Sequence, residues 1–532
     1  MRDRYLPIPY AQKGQCVAQV SAQKPDPRHQ ILRTPVIYHS STTEVRVVAY
    51  NEFAYQTSVH TDCVCNEYAA LCNRHLADRT HVKFDKQYWR RIARQTMKHY
   101  PKDLKPVSYQ TVIDGYTGGK KKAYVRALIQ LNTTGYLPKY ATVKMFVKPD
   151  RAPIEELGQK APRAIQYRTM QYNLEASRYI KAYEHEFYQL TFGSASKTRC
   201  VAKGLNQYQR AQLLMTKAEA FDRPLYLLLD HSKFDSTINE EHLRTTHKKY
   251  QRAFRSRKLQ MLLNSQLKNT CYSKHGIKYR ASGTRMSGDP DTGCGNTLIN
   301  MDCMLGFLAS NNISKYDIIM DGDDSIVIIE QGTEYETTYF ERVGFTTKLE
   351  VTTNIHEAEF CQARLVMATT PVMVRNPARV LSHHLVCRRN YPPSRYAAWL
   401  AANGECEMSV NAGVPVIQAW ASQLASLTDK REYDDDMRWK MVEGKRPTQV
   451  TTQARITMYE AWGINPNLQL LMEQYDYTSK TVGVLSCNSE IKQRTLKQRR
   501  QSYDAEYSRT TRTWMGYQSL RPRSSSSWWC DS

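Results

Sequence analysis

Residues 316–329 read YDIIMDGDDSIVII. Two β-rich apolar runs flank Asp321-Gly322-Asp323-Asp324, and Asp-Gly between such runs is a strong signal for a tight hairpin. Adjacent acids at a hairpin tip hold like charges a few ångströms apart, which is costly unless a cation neutralises them. The flanking runs have the character of buried strands, which argues against a solvated surface turn. A lone Asp-Asp pair is usually just such a turn, so the reading needs partners elsewhere in the chain.

The first partner is LYLLLDHSKFD, residues 225–235. An apolar strand runs into Asp230, and Asp235 follows five residues later. Alternation along a strand puts odd separations on opposite faces, so the chain must turn after Asp230 and the two acids serve different roles. Asp230 and Asp323 on neighbouring strand ends would form a hard-oxygen site suited to Mg²⁺. Two such ions about 3.5–4 Å apart would activate a hydroxyl nucleophile and stabilise a leaving pyrophosphate.

The second partner is SGTRMSGDPDTGCGNTLIN, residues 282–300. Its glycines let backbone approach a phosphate or base, and the helical pattern that follows sets Thr292 and Asn296 one turn apart on one face. Taken alone, a Gly-rich loop entering a helix is often only a cap.

Around these segments the chain is basic. Its 532 residues carry 75 Lys and Arg against 51 Asp and Glu, a formal charge of +24, with 41% hydrophobic residues. That composition supports a large packed core in several domains and rules out wholesale disorder. The positive excess is either a solvated surface or, the favoured reading, the footprint of a polyanionic partner such as nucleic acid or an anionic membrane face. No run approaches ~18 uncharged apolar residues and the first residues lack the apolar core of a secretory leader, so neither a spanning helix nor export is expected. The 13 cysteines read as reduced, mostly buried thiols. Among them Cys63, Cys65 and Cys72, with His60 and His75 flanking, could supply zinc ligands. The spacing is not one of the common knuckles, however, and EYAALCNRHL reads better as an amphipathic helix with Cys72 inward.

Residues 34–58 suggest short strands. From 86 to 140 the pattern is helical and basic, interrupted by GYTGGKKKAY (115–124). That stretch fails as a phosphate-binding P-loop, because only three residues separate Gly115 from Gly119 and Lys121 stands where Ser or Thr is required. A tight basic turn before a helix is the better reading. After about 390 the periodicity is helical. Residues 481–532 form a basic tail, in which Lys492, Arg494, Lys497, Arg499 and Arg500 suit RNA capture.

In order, the three acidic and Gly-rich segments resemble motifs A, B and C of viral RNA-dependent RNA polymerases. Asp230 and Asp235 stand as D-x4-D, Ser287 to Asn296 as SG-x3-T-x3-N, and Gly322 to Asp324 as GDD. The intervals, 52 residues from Asp235 to Ser287 and 27 from Asn296 to Asp323, are similar to the family's. KMFVKPDR (144–151) and KAPRAIQYR (160–168) resemble the basic fingers motif of the tombusvirus-like branch. GFTTKLE (344–350) and EAEFCQARLV (357–366) resemble motifs D and E. Weaker echoes are CVAKGLN (200–206) and AGVPVIQAW (412–420), and the sequence departs from the pattern at Pro290-Asp291.

The resemblance implies an α+β right-hand polymerase with palm, fingers and thumb, an antiparallel palm sheet and a mostly helical thumb. It implies an N-terminal extension (1–85) contacting fingers and thumb, fingers at 86–224 with a 236–280 insertion, a palm at 225–368 and a thumb at 369–480. Template-directed nucleotidyl transfer from NTPs to RNA would follow. Asp230 and Asp323, supported by Asp324, would hold two Mg²⁺ ions, with Mn²⁺ able to substitute. Asp235 and Asn296 would read the ribose 2′-hydroxyl, which only a ribonucleotide offers. Ser287 and Thr292 would assist that network. Lys144, Lys148, Arg163 and Arg168 would meet the triphosphate. Lys348 would protonate pyrophosphate, and Gly288, Cys361 and Gln362 would support the RNA strands. The implied partners are template and nascent RNA, NTPs and a membrane-anchored viral replication protein that brings the enzyme to replication complexes in the host cytoplasm. The rival readings are a reverse transcriptase and a non-enzymatic basic RNA-binding protein.

Overall fold

The computed structural model describes residues 10–17, 24–40, 43–49, 51–434, 437 and 446–478. The tail with Lys492, Arg494, Lys497, Arg499 and Arg500 lies outside the described residues. The chain divides into two units, one holding residues 46–55 with those from 364 on, the other residues 11–45 with 56–363.

The larger unit mixes helices with sheets, and among the described residues its strand ladders are antiparallel except the one between Val143–Val147 and Lys268–Ser273. Its framing elements, in chain order, are β1 (Gln30–Arg33), α1 (Val64–Ala70), β2 (Val143–Val147), β3 (Ala164–Tyr167), β4 (Pro224–His231), α2 (Phe234–Thr237), α3 (Glu240–Phe254), β5 (Lys268–Ser273), β6 (Lys278–Ser282), α4 (Thr292–Ser310), β7 (Asp317–Asp321), β8 (Asp324–Glu330) and β9 (Thr347–Thr352). One sheet has the order β7-β8-β4-β9, with every pairing antiparallel. A second has the order β1-β6-β5-β2-β3, in which β2 and β5 run parallel.

The apolar runs that make β4, β7 and β8 bury one face of the first sheet. Leu227, Leu229, Ile318, Met320, Val327 and Ile329 join a core that also takes in Trp89, Tyr183 and Tyr250. Helix α4 lies in the same core and is buried along nearly its whole length, from Cys294 to Leu308. A helix apolar all round is an interior helix, which is why it shows no surface stripe in the sequence.

Three of this unit's buried histidines, besides His231 at the site described below, are sealed without a charge partner. His242 completes the cap of α3 through Nδ1, which accepts from the Asn239 N–H at 3.1 Å, while Nε2 reaches the Val343 carbonyl at 3.0 Å. His247 bonds Gln266 at 3.0 Å, and His75 bonds Thr284 at 3.4 Å. Burial pushes them down to about 3 for His242 and His75 and about 4 for His247. In the unfolded chain they titrate near 6.5, so between there and about 4 only the unfolded state takes up these protons. Stability should therefore fall as pH drops through that window, by up to about 1.4 kcal/mol per pH unit for each histidine. A thermal midpoint that stays flat from pH 7 to pH 4.5 would show that these rings are not neutral in the fold.

In the smaller unit, Arg46 and Val47 pair with Cys387 and Val386. The rest of it is mainly helical, with helices Pro377–His383, Pro393–Val410, Ile417–Ala425, Thr452–Trp462 and Pro466–Gln474. Among the described residues no helix is long and apolar enough to cross a membrane. Within the stretch expected to form short strands, residues 34–40 make no ladder, and Glu44–Val47 and Thr57–Val59 do. The helix expected after the basic turn begins earlier, at Gly118, and absorbs the lysine run (Gly118–Thr134).

Candidate active site

The acidic hairpin forms, with Asp321 paired to Asp324 across a turn of Gly322 and Asp323. The turn sits one residue later than the Asp-Gly signal suggests. Gly322 takes φ +72°, the left-handed geometry demanded at the first turn position. Helix α4 holds this turn from behind. Thr297 Oγ1 accepts from the Gly322 N–H at 3.0 Å, and Asn300 Nδ2 donates to the Gly322 and Asp323 carbonyls at 3.1 and 3.0 Å. Asn300 Oδ1 is left to accept from His231 Nε2 at 3.1 Å, which fixes the tautomer and leaves Nδ1 to accept from the Thr347 hydroxyl at 2.7 Å. Burial keeps that ring neutral, pushed down to about 4.

Strand β4 delivers Asp230 beside the turn. Ser325 pairs with Leu229, so Asp324 and Asp230 stand one residue beyond the last rung of that ladder. On the other edge of β4, Lys348 is the register partner of Asp230, and its ammonium contacts Glu350. Desolvation, with Asp235, Asp230 and Asp321 nearby, raises Asp323 to about 6. Desolvation and the neighbouring carboxylates of Asp323, Asp230 and Asp321 raise Asp324 to about 7. Carboxyls whose ionisation is opposed by burial and by neighbouring acids are what a multivalent cation would ionise and bind. Asp321 is already compensated, by Lys203 at 3.2 Å and Arg210 at 2.5 Å.

After Asp230 the chain turns, through Lys233 at φ +51°, into the short helix α2 that carries Asp235. Asp235 is raised by burial, opposed by the hydrogen bond from Asn296 Nδ2 at 2.8 Å. Asn296 Oδ1 accepts in turn from Arg285 Nε at 3.1 Å, and Arg285 Nη1 reaches Asp291 at 2.8 Å. Asp291 also accepts from Gln266 at 2.9 Å. Gly295 makes room for this buried guanidinium, since a Cβ there would stand 2.3 Å from Arg285 Nη2.

The loop before α4 departs from expectation. The Ser287 hydroxyl donates to the Ala164 carbonyl at 3.0 Å and accepts from the Gln166 N–H at 3.2 Å, and Gly288 N–H bonds the Gln166 carbonyl at 2.7 Å. Thr292 Oγ1 is turned to the Met286 and Asp289 carbonyls, both at 2.9 Å. These hydroxyls therefore bind the loop to β3 and to itself rather than facing a base or ribose. Arg168 is corrected more sharply. It is fully buried, with Nε 2.7 Å and Nη2 3.2 Å from the Asp289 carboxylate, Nη2 2.7 Å from Asn269 and Nη1 2.5 Å from the Ala141 carbonyl. Its guanidinium is thus engaged within the fold and stands away from solvent.

Lys148 and Arg163 share Asp150, at 3.3 and 2.6 Å, and both remain partly exposed; Lys144 is exposed on β2. Arg163 is close enough to influence Asp235. The sequence reading missed Arg74. It sits on one turn of π-helix (Leu71–His75) whose neighbours clasp the segment around α2: Lys233 Nζ donates to the Asn73 carbonyl at 3.0 Å, and Arg79 donates to Ser236 at 2.9 Å. Burial and Arg163 lower its pKa, while Asp235, Asp150 and Asp323 act in the opposite sense. Nothing in the spacing around Arg74 marks it; only the fold brings it to the acids.

Cys361 and Gln362 both adopt left-handed φ (+50° and +62°) in a two-residue turn closed by Phe360 and Ala363. Such strain in non-glycine residues persists where surroundings over-determine it. The Cys361 thiol, pushed up by burial and by Asp324, faces Arg210 as well as that acid.

A family model described as viral RNA dependent RNA polymerase matches residues 36–481. The chain is 31% identical over 401 residues to a protein of Tobacco necrosis virus (strain A), covering 70% of this chain and 54% of the relative. It is 30% identical over 387 residues to one of Cucumber necrosis virus (69% and 47%) and over 385 residues to one of Tomato bushy stunt virus (strain Cherry; 69% and 47%). Each relative is named RNA-directed RNA polymerase. The chain spans about half the length of these curated relatives.

Proposed function

Because the chain belongs to the viral RNA dependent RNA polymerase family, we propose that it copies viral RNA by template-directed nucleotidyl transfer from NTPs, with the β7-β8-β4-β9 sheet as palm. The observation that carries this reading is the convergence of Asp230, Asp323 and Asp324 at one sheet end, with Asp323 and Asp324 raised by burial and by neighbouring carboxylates. Hard carboxylate oxygens in this number fit Mg²⁺, and Mn²⁺ in its place. Asp230, Asp323 and Asp324 would hold two ions, whose chemistry is to acidify the 3′-hydroxyl and neutralise the leaving pyrophosphate.

The protein's own groups do the positioning, which supplies most of the rate in phosphoryl transfer. Asp235 accepts from the ribose 2′-hydroxyl, held in place by Asn296, itself held by Arg285 and Asp291. Arg163, Arg74 and Lys148 draw in the triphosphate, with Lys144 at the margin, and Lys348 gives a proton to pyrophosphate. The strained turn at Cys361 and Gln362 steadies the growing strand, and Gly288 shapes the template side. In the same reading residues 86–224 form fingers, residues 369–480 a thumb, and another viral protein recruits the enzyme to host membranes.

Purified protein given a short RNA template, Mg²⁺ and labelled nucleotides should incorporate NTPs as the template directs and dNTPs poorly. Preference for dNTPs would indicate a reverse transcriptase, and tight salt-sensitive RNA binding without turnover a binding protein. Asn296→Ala should cut discrimination against dNTPs by about tenfold or more, since a polar site that loses its 2′-hydroxyl partner forfeits about 1–3 kcal/mol. Unchanged discrimination in a folded variant would remove Asn296 from the ribose site.

A further inference from the structure

The N-terminal segment carries a cluster of sulfurs that the polymerase reading does not use. Cys72 and His75, weighed above as possible companions of Cys63 and Cys65 and set aside, are indeed elsewhere: the Cys72 thiol pairs with Tyr68, and His75 is sealed against Thr284. His60 is likewise taken, by the Leu157 carbonyl at 2.9 Å. Cys16 arrives instead. The sulfurs of Cys16, Cys63 and Cys65 all lie within 4.8 Å of one another, with Cys16 to Cys63 at 3.7 Å and Cys63 to Cys65 at 2.8 Å. None is in a disulfide.

The backbone fixes this meeting independently of the thiols. Gln15 N–H donates to the Val59 carbonyl at 2.8 Å and its carbonyl accepts from Thr61 N–H at 3.0 Å. On the other side of Cys16, Val17 N–H donates to Asn66 Oδ1 at 2.9 Å, and Asn66 Nδ2 returns to the Gln15 carbonyl at 2.9 Å. Cys16 is thus clamped from both flanks against the start of α1. Tetrahedral zinc with Zn–S bonds of about 2.3 Å has sulfur–sulfur edges of about 3.8 Å. The Cys16–Cys63 edge already has that length, and side-chain rotation opens the shorter one. Cys16 is only half-buried, which leaves a path for a cation.

We propose that Cys16, Cys63 and Cys65 bind a thiophilic cation of the Zn²⁺ class as thiolates, with a solvent molecule completing the coordination. Binding displaces the thiol protons and involves no redox step. The ion would staple residues 14–17 to α1, whose continuation is the turn carrying Arg74.

The test is metal analysis of purified full-length protein by mass spectrometry, with Co²⁺ reconstitution of the reduced, metal-free chain. Stoichiometric zinc is expected, together with a near-ultraviolet thiolate-to-Co²⁺ charge-transfer band. Both should be lost in Cys16→Ser and in Cys63→Ser and kept in Cys72→Ser. Should a Ser variant fail to fold, the Co²⁺ band of the wild type and its suppression by added Zn²⁺ still decide. Full zinc in Cys16→Ser, absence of the band in reduced wild type, or a Cys63–Cys65 disulfide as the resting state would each overturn the assignment.

Discussion

Asp323→Ala is expected to lower template-directed incorporation to below about 1% of wild type while leaving the fold intact. The first half follows from the proposed role: losing one shared ligand of a two-ion site removes several kcal/mol of charge stabilisation, and each 1.36 kcal/mol is tenfold in rate. The second half follows from what holds the turn. Asn300 and Thr297 grip backbone groups of Gly322 and Asp323, none of which the substitution removes. The carboxyl itself is raised to about 6 by desolvation and its acidic neighbours, so above that pH its ionisation costs the metal-free protein stability. The variant's thermal midpoint at pH 8 without divalent ions should therefore equal or exceed that of the wild type. Incorporation above about 10% of wild type would count against Asp323 as a metal ligand. A collapsed midpoint would mean instead that the side chain is structural.

How much of this was legible beforehand depended on whether a residue's role lay in its neighbours along the chain. The hairpin was readable because two β-branched runs bracket Asp-Gly, and the turn after Asp230 because strand alternation forbids two acids five apart on one face. Asp235 and Asn296 were paired only by the resemblance, not by anything in their local sequence, and the structure hydrogen-bonds them directly. Arg285 and Asp291, which hold Asn296, were not readable: a lone Arg and a Pro-Asp step in a polar loop look like surface, and only the fold shows them buried. Arg74 was hidden because a single π-helical turn, not a motif, aims it at the site. Likewise Cys16 lies 47 residues from Cys63, far outside any local ligand spacing.

Arg168 shows the converse, a residue whose motif invited the wrong expectation, and its replacement tests the corrected one. A basic residue at the end of β3 facing a triphosphate should be exposed and expendable for folding. This one is sealed, with its guanidinium bridging Asp289, Asn269 and the Ala141 carbonyl. Arg168→Ala would leave the Asp289 carboxyl buried without its counter-charge, a change that costs about 3–5 kcal/mol where a buried pair is broken from one side. At roughly 1–2 °C per kcal/mol for a unit of about 340 residues, the thermal midpoint should fall by about 5 °C. Pairing Arg168→Met with Asp289→Leu should recover much of that loss, because removing both charges together removes the desolvation burden as well. Asp289 stands in the loop that leads into α4 and is held there by Arg168, so the single variant's activity should fall with its folded fraction and its KM for NTP should hold in whatever remains folded. The opposite pattern, a wild-type midpoint with KM raised about tenfold or more, would return Arg168 to the triphosphate, since it is what loss of an exposed charge-assisted contact produces.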